Sequence, residues 1–389
     1  MPTLRIVSFN DVYSLEHLPR LKSLSRRELD ENVADATLVV LAGDFVAPSL
    51  LSSLDAGRGM VDCLDDLGVT HVVFGNHEDD IPTAELHRRI EELRGTWLST
   101  NVQFDPRTKP HDVIDVAGVR VGLVGVVMTE RAIYRDAPFG GAPTEPANES
   151  ALRERDALVA SGCASVVAIT HQPMDEDRAL ARTEKFACII GGHEHTPFLE
   201  SVGATWIVKA GTDAEAAAIT ELVWTDATKA PTVTTRLEPV AGYPEDAELR
   251  QRVDAHMAKV REIQDACLVV LGPGETLSSI GSRRRQTTLG ALLCSRIRDA
   301  LGADACLFNG GGIRGATEYK GRFTYGDLET EIPFDNEIVV VRMPGRVIRD
   351  AVAASRATES GAYLQTDDAL DLAALDDERE YRVAVVRNL

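Results

Sequence analysis

The stretch Gly191-Gly192-His193-Glu194-His195-Thr196 (GGHEHT) follows directly on the apolar run Phe186–Ile190 (FACII). A short apolar run closed by glycines reads as a buried strand ending in a tight turn. The chain holds nine histidines in 389 residues, and two of them stand one residue apart on this turn. The same arrangement recurs upstream. Leu4–Phe9 is followed by Asn10-Asp11-Val12-Tyr13, Thr37–Leu41 by Ala42-Gly43-Asp44, Thr70–Phe74 by Gly75-Asn76-His77-Glu78-Asp79-Asp80, and Ser165–Thr170 by His171. A single Asp after a strand reads as a helix cap or turn residue, and a single His as satisfied structure. Five strand ends that each carry an Asp, Asn or His, with glycines where backbone must come close, point instead to one constellation. In layered α/β folds that end of the sheet is where ligand sites form.

Further strands are read at Trp97–Asn101, Val119–Val127, Thr205–Ala210, Ala218–Trp224 and Thr232–Val240, with helices at Pro82–Arg94 and Glu149–Ser161. The alternation predicts an α/β layered domain over residues 1–241. Pro244–Ala266 has a different rhythm. Leu249, Val253, Met257, Val260 and Ile263 recur at spacings of three and four, the period of one helix face. Residues 242–266 are therefore read as a connecting helix, with Pro244 in its first turn beside Glu245 and Asp246. A second domain is expected over 267–389.

Composition narrows the function. The 44% hydrophobic and 26% charged residues fit a globular chain of two domains with real cores. A net charge of −20 argues against nucleic acid or anionic membrane as partner, while leaving room for a small anionic ligand where local cations reverse the potential. No apolar run approaches the roughly 18–20 residues that span a bilayer. A strand pattern starting at Leu4 leaves no room for a signal peptide, so a cytoplasmic location is expected. The six cysteines are scattered without a CxxC pair and are read as buried free thiols in a reducing compartment. Oligomeric state has no signature in the chain.

The residue types fit one chemistry. Carboxylates, imidazoles and an amide oxygen suit Mn, Fe, Zn or similar divalent ions rather than copper(I) or an iron–sulfur cluster. Two such ions about 3.5–4 Å apart lower the pKa of a water and clamp a phosphoryl group. The series Asp11, Gly43-Asp44, Gly75-Asn76-His77-Glu78, His171 and Gly192-His193-Glu194-His195 resembles the calcineurin-like metallophosphoesterases. Downstream, Asn309-Gly310-Gly311-Gly312-Ile313-Arg314, Thr324-Tyr325-Gly326-Asp327 and Ile332-Pro333-Phe334 resemble the C-terminal domain of 5′-nucleotidases, and Arg283–Gly290 is similar to that domain's opening helix. The resemblance runs from Asp11 to at least Asn336. It implies a four-layer β-sandwich flanked by helices, joined to a smaller α/β substrate domain. It implies two divalent ions: Asp44 bridging both, Asp11 and His195 on the first, and Asn76, His171 and His193 on the second. His77 would stabilise the phosphoryl group or protonate the leaving group, oriented by Asp80. Asn309, Arg314 and Arg283 would contact substrate, and Phe334 would stack on a base or, on its plain reading, sit in a core.

The chain departs from the family pattern in three places. Tyr13 stands where the family reads His, and either packs, ligates as phenolate, or leaves water to complete the first site; His17 is a further candidate replacement. Asp79 adds a negative charge near His77, which would raise its pKa. The chain stops at Leu389, before the segment that carries the second base-stacking aromatic in related nucleotidases. The function implied is hydrolysis of nucleoside 5′-monophosphates by a metal-activated hydroxide, with a 2′,3′-cyclic-nucleotide phosphodiesterase or UDP-sugar hydrolase as alternatives. A catalytically weak nucleotide-binding protein is the alternative outside enzymes.

Overall fold

A computed structural model describes residues 1–30, 34–134, 136–334, 336–357 and 362–387. The chain divides into two compact units, Met1–Ala258 and Lys259–Leu389.

The first unit is built on two six-stranded sheets. One has the order β12-β11-β1-β2-β3-β4, with β1 (Thr3–Phe9), β2 (Ala36–Leu41), β3 (His71–Val73) and β4 (Thr96–Leu98) parallel, and β11 (Ala216–Val223) and β12 (Thr232–Pro239) added antiparallel. The other has the order β5-β6-β7-β8-β10-β9. Its centre is parallel: β6 (Val119–Val127), β7 (Ser165–His171), β8 (Cys188–Gly192) and β10 (Thr205–Lys209). Its edges, β5 (His111–Val116) and β9 (Phe198–Val202), are antiparallel. Parallel strands covered on both faces must be apolar throughout, and β1 and β7 are buried at every position. The edge strand β12 instead alternates exposed and half-buried residues. The sheets meet face to face. A Cβ on Gly125 would lie 2.6 Å from Leu98 Cβ and 2.7 Å from Val73 Cγ1, so glycine allows this close approach. Helices cover the outer faces, Leu18–Asp30 on the first sheet with Arg58–Leu67 packed against it, and Ala147–Ala160 and Met174–Ala181 on the second. The expected four-layer sandwich is the observed one.

Helix Ala247–Gln264 begins later than its sequence pattern suggested. Pro244 lies before it, and Asp246 caps it by accepting the Leu249 N–H at 2.9 Å. Leu249 and Val253 are wholly buried, as the helical spacing required.

The second unit contains a four-stranded sheet, β18-β20-β15-β19, formed by β15 (Ala305–Asn309), β18 (Ile338–Pro344), β19 (Leu364–Thr366) and β20 (Glu380–Val386). Two small antiparallel pairs complete it: β13 (Cys267–Val270) with β17 (Arg322–Thr324), and β14 (Thr276–Ser278) with β16 (Glu318–Lys320). Its first long helix is Thr288–Leu301, so most of the Arg283–Gly290 stretch is a turn before that helix. Five of the six cysteines are buried free thiols, whereas Cys267 is exposed on the short strand β13. Among the described residues no helix is long and apolar enough to cross a membrane.

Candidate metal centre

The C-terminal ends of β1, β2, β3, β7 and β8 carry the polar residues singled out above. Three of them, Asp11, Asp44 and His193, have φ of 54°, 56° and 81°. The left-handed region costs a non-glycine residue about 1–2 kcal/mol and is held only where surroundings impose it. Here they do. The Asp11 N–H donates to Gly43 O at 3.1 Å and the Val12 N–H to Asp44 O at 2.8 Å, locking the first two loops together. The His193 N–H donates to Asp11 Oδ2 at 2.8 Å.

The side chains then converge. Asp11, Asp44 and His171 are buried, and they offer donor atoms within 4.8 Å of one another. His171 Nδ1 donates to Ala42 O at 2.8 Å, which turns Nε2 inward, 3.1 Å from Asp44 Oδ2. Burial alone would lower this imidazole's pKa, but in the metal-free protein the Asp44 carboxylate outweighs it and raises it to about 10. Tyr13 Oη lies 3.2 Å from Asp11 Oδ1, 3.3 Å from Asp44 Oδ2 and 3.2 Å from His195 Nε2. The His193 ring is edge-on to that of His171, with centroids 5.5 Å apart. Asn76 Oδ1 is buried and accepts no hydrogen bond. An orphaned buried acceptor costs about 1–3 kcal/mol; a divalent cation is the partner such an oxygen lacks. The donor set fits divalent metal.

His77 Nδ1 is 2.6 Å from Asp80 Oδ2, and the His77 N–H donates to Asp44 Oδ1 at 2.8 Å. Burial disfavours the charged ring, but the Asp80 hydrogen bond and the charges of Asp44, Asp80 and Glu78 together raise its pKa. Asp79 is not among the largest of these causes, and its Oδ2 accepts the Phe139 N–H at 2.9 Å. His17 Nδ1 is 2.9 Å from Asp213 O.

Several residues that hold the centre were given no role in the sequence reading. Glu78 is wholly buried and accepts four backbone N–H groups, from Asp44, Phe45, Val46 and Gly75, stapling two motif loops. Asn10 donates to Asp11 Oδ2 and Gly211 O and accepts the Ala210 N–H. Lys209 has no exposed surface. Its Nζ donates to Gln172 O at 2.9 Å and Gly192 O at 2.8 Å, and pairs with Asp177 at 2.7 Å and with Glu194. It therefore holds the peptides next to His171 and His193.

In the second unit Arg283, Arg284 and Arg314 line a cavity of about 480 Å³. Phe334 is half exposed rather than part of a core, with the Arg314 guanidinium 5.4 Å from its ring centroid. Asn309 caps the Gly310–Gly312 turn by accepting the Gly311 N–H at 3.0 Å. Two buried residues unremarked in the sequence support these loops. Gln365 donates to Ser282 O at 2.7 Å and Arg285 O at 2.6 Å. Glu331 accepts from Ser279 Oγ, Tyr319 Oη and the Gly315 N–H.

Residues 4–197 match the family model of the calcineurin-like phosphoesterases, and residues 269–373 that of the 5′-nucleotidase C-terminal domain. Endonuclease YhcR of Bacillus subtilis (strain 168) is 27% identical over 351 residues, 82% of this chain but only 28% of that protein. The 5′-nucleotidase of Vibrio vulnificus (strain CMCP6) is 23% identical over 394 residues, 85% of this chain and 70% of that protein. The crystal structure of a 5′-nucleotidase precursor from Thermus thermophilus has the same fold, with a TM-score of 0.68 at 23% identity, over 99% of this chain and 89% of that one. The chain belongs to the calcineurin-like phosphoesterases, a family that uses divalent metal, and carries a 5′-nucleotidase C-terminal domain; it spans only about a quarter of the length of the first curated relatives it matches.

Proposed function

We propose that this phosphoesterase hydrolyses nucleoside 5′-monophosphates at a centre of two divalent ions, held by Asp11, Asp44, Asn76, His171, His193 and His195. The observation that carries this reading is the convergence of five strand ends on donors of which Asp11, Asp44, Asn76 and His171 are buried, Asn76 Oδ1 without any hydrogen bond. When bound, such ions neutralise phosphoryl charge and lower the pKa of the attacking water. The chain's own residues do the rest. Asp44 lies between the His171 and Tyr13 sides of the cluster, where one carboxylate serves both positions. Asp80 accepts a hydrogen bond from His77 Nδ1–H and, with the nearby carboxylates, favours the doubly protonated ring, whose Nε2–H can donate to the ester oxygen as it departs. Arg283 and Arg314 supply planar donors for phosphate, and the exposed Phe334 ring offers a face to a base.

The test is turnover of 5′-AMP against 2′,3′-cyclic AMP and a UDP-sugar, with products separated by chromatography. A preference for 5′-AMP is expected. A tenfold preference for either of the others would overturn the substrate assignment and leave the phosphoesterase standing.

A further inference from the structure

Tyr13 has a position that hydrogen bonding does not explain, and its interpretation rests on the two-ion reading above. Its hydroxyl is 3.2 Å from Asp11 Oδ1, 3.3 Å from Asp44 Oδ2 and 3.2 Å from His195 Nε2. His195 Nε2 is in turn 3.5 Å from Asp11 Oδ1. A phenol has one proton to donate, and a neutral imidazole adds at most one more at this edge. Three contacts share two protons, so at least one carboxylate oxygen faces a lone pair of the phenol. A cation at the centre removes that conflict.

The spacing agrees with one. Donors about 2.0–2.2 Å from a common ion stand about 3.3–3.6 Å apart at the corners of a tetrahedron, and about 2.8–3.1 Å apart along the edges of an octahedron. The four separations, 3.2 to 3.5 Å, lie in and just below the tetrahedral range.

The placement is also enforced from behind. Asp213 Oδ1 accepts the N–H groups of Tyr13 at 2.8 Å and Ser14 at 3.0 Å, and the Asp213 N–H donates to Asp11 O at 2.9 Å. Asp213 itself is held at φ 52°. The Tyr13 backbone is thereby tied to the loop that bears Asp11, and the ring stands edge-on to His77 at 6.2 Å.

We propose that Tyr13 Oη is the fourth protein ligand of the first ion, beside Asp11, Asp44 and His195, and that it biases this position towards oxygen-preferring ions. The set holds three oxygens and one nitrogen. The second position, with Asp44, Asn76, His171 and His193, offers two of each. Oxygen donors suit Mn²⁺ and harder ions, while imidazole suits Zn²⁺. The two positions therefore differ in kind, and a His at position 13 would make them alike.

The test uses the full chain, stripped with chelator, alongside Tyr13→Phe and Tyr13→His. Phenylalanine keeps the ring and removes only the oxygen. In calorimetric Mn²⁺ titrations, Y13F should lose tenfold or more in affinity at one position and keep the other. After dialysis against equal Mn²⁺ and Zn²⁺, Y13H should shift one position towards Zn²⁺ by tenfold or more. Ferric-loaded wild type should show the visible charge-transfer band of an iron-bound phenolate, and Y13F of equal iron content should not. Chelator-treated melting curves check that the variants fold; if Y13F does not, the Mn²⁺/Zn²⁺ ratio of Y13H decides. Unchanged Mn²⁺ titration of Y13F, or an unchanged metal ratio in Y13H, overturns the proposal. Wild-type protein that takes up no metal at all would instead bring down the two-ion reading itself.

Discussion

Replacing Glu78 by Gln should damage the protein as much as replacing it by Ala, although the carboxylate and the amide have nearly the same shape. Glu78 Oε1 accepts the N–H groups of Phe45 and Val46 at 2.7 and 3.1 Å, and Oε2 those of Asp44 and Gly75 at 2.9 and 2.5 Å. All four bonds are donated to it. A glutamine oxygen can keep two, but its NH₂ would then meet two N–H groups head on. Two orphaned donors at about 1–3 kcal/mol each give about 2–6 kcal/mol. Alanine orphans all four and opens space for a water that accepts two, so its cost is similar. Domain stabilities of about 5–15 kcal/mol make either loss large. Burial and the charge of Asp44 raise the Glu78 carboxyl to about 7 against the pull of those N–H groups, so the measurement belongs at pH 8. Trp97, Trp206 and Trp224, the three tryptophans of the chain, all lie in the first unit and report its unfolding in urea with chelator present. A Gln variant within about 1 kcal/mol of wild type, beside a badly destabilised Ala variant, would refute the reasoning.

Lys209→Met leaves the buried Asp177 carboxylate without its cation and should cost about 3–5 kcal/mol in the same urea experiment; a change below about 1 kcal/mol would contradict it. Gly192→Ala places a Cβ 2.1 Å from Ala42 O and 2.7 Å from His171 Nδ1, so calorimetry should show Mn²⁺ affinity falling tenfold or more at one position, and an unchanged isotherm would count against the geometry. Asp105→Asn tests acid sensitivity. Hydrogen bonds from Arg107, reinforced by His87, hold the Asp105 carboxyl well below its usual range. A depressed folded pKa stabilises above the unfolded value of about 3.9 and is lost as pH falls through the folded one. Wild type should therefore lose stability more steeply than D105N below about pH 4; parallel curves would refute this.

The strand ends could be read because each parallel strand is an apolar run that stops at a polar turn. Val119–Val127 came out with its observed limits for that reason. The edge strands of the second sheet did not. His111–Val116 and Phe198–Val202 mix charged and apolar residues because one side meets solvent, and no run stands out. The ligand candidates were legible as types, but their supports were not. Lys209 and Asp177 look like surface charges until the fold buries them against each other. Asp79 and Asp80 are adjacent in sequence, yet the short turn at His77–Asp80 sends one to Phe139 and the other to His77. Proline position misled the start of helix Ala247–Gln264, where the Asp246 side chain, rather than Pro244, sets the first turn.

The most direct measurement is phosphate release from 5′-AMP by chelator-stripped protein reloaded with Mn²⁺, with metal counted per chain, for wild type and Asn76→Ala. Two ions per wild-type chain are expected, with release that follows metal loading, and N76A should lose one ion and most of the turnover. Release that survives chelation, or full turnover by N76A at saturating Mn²⁺, would contradict it.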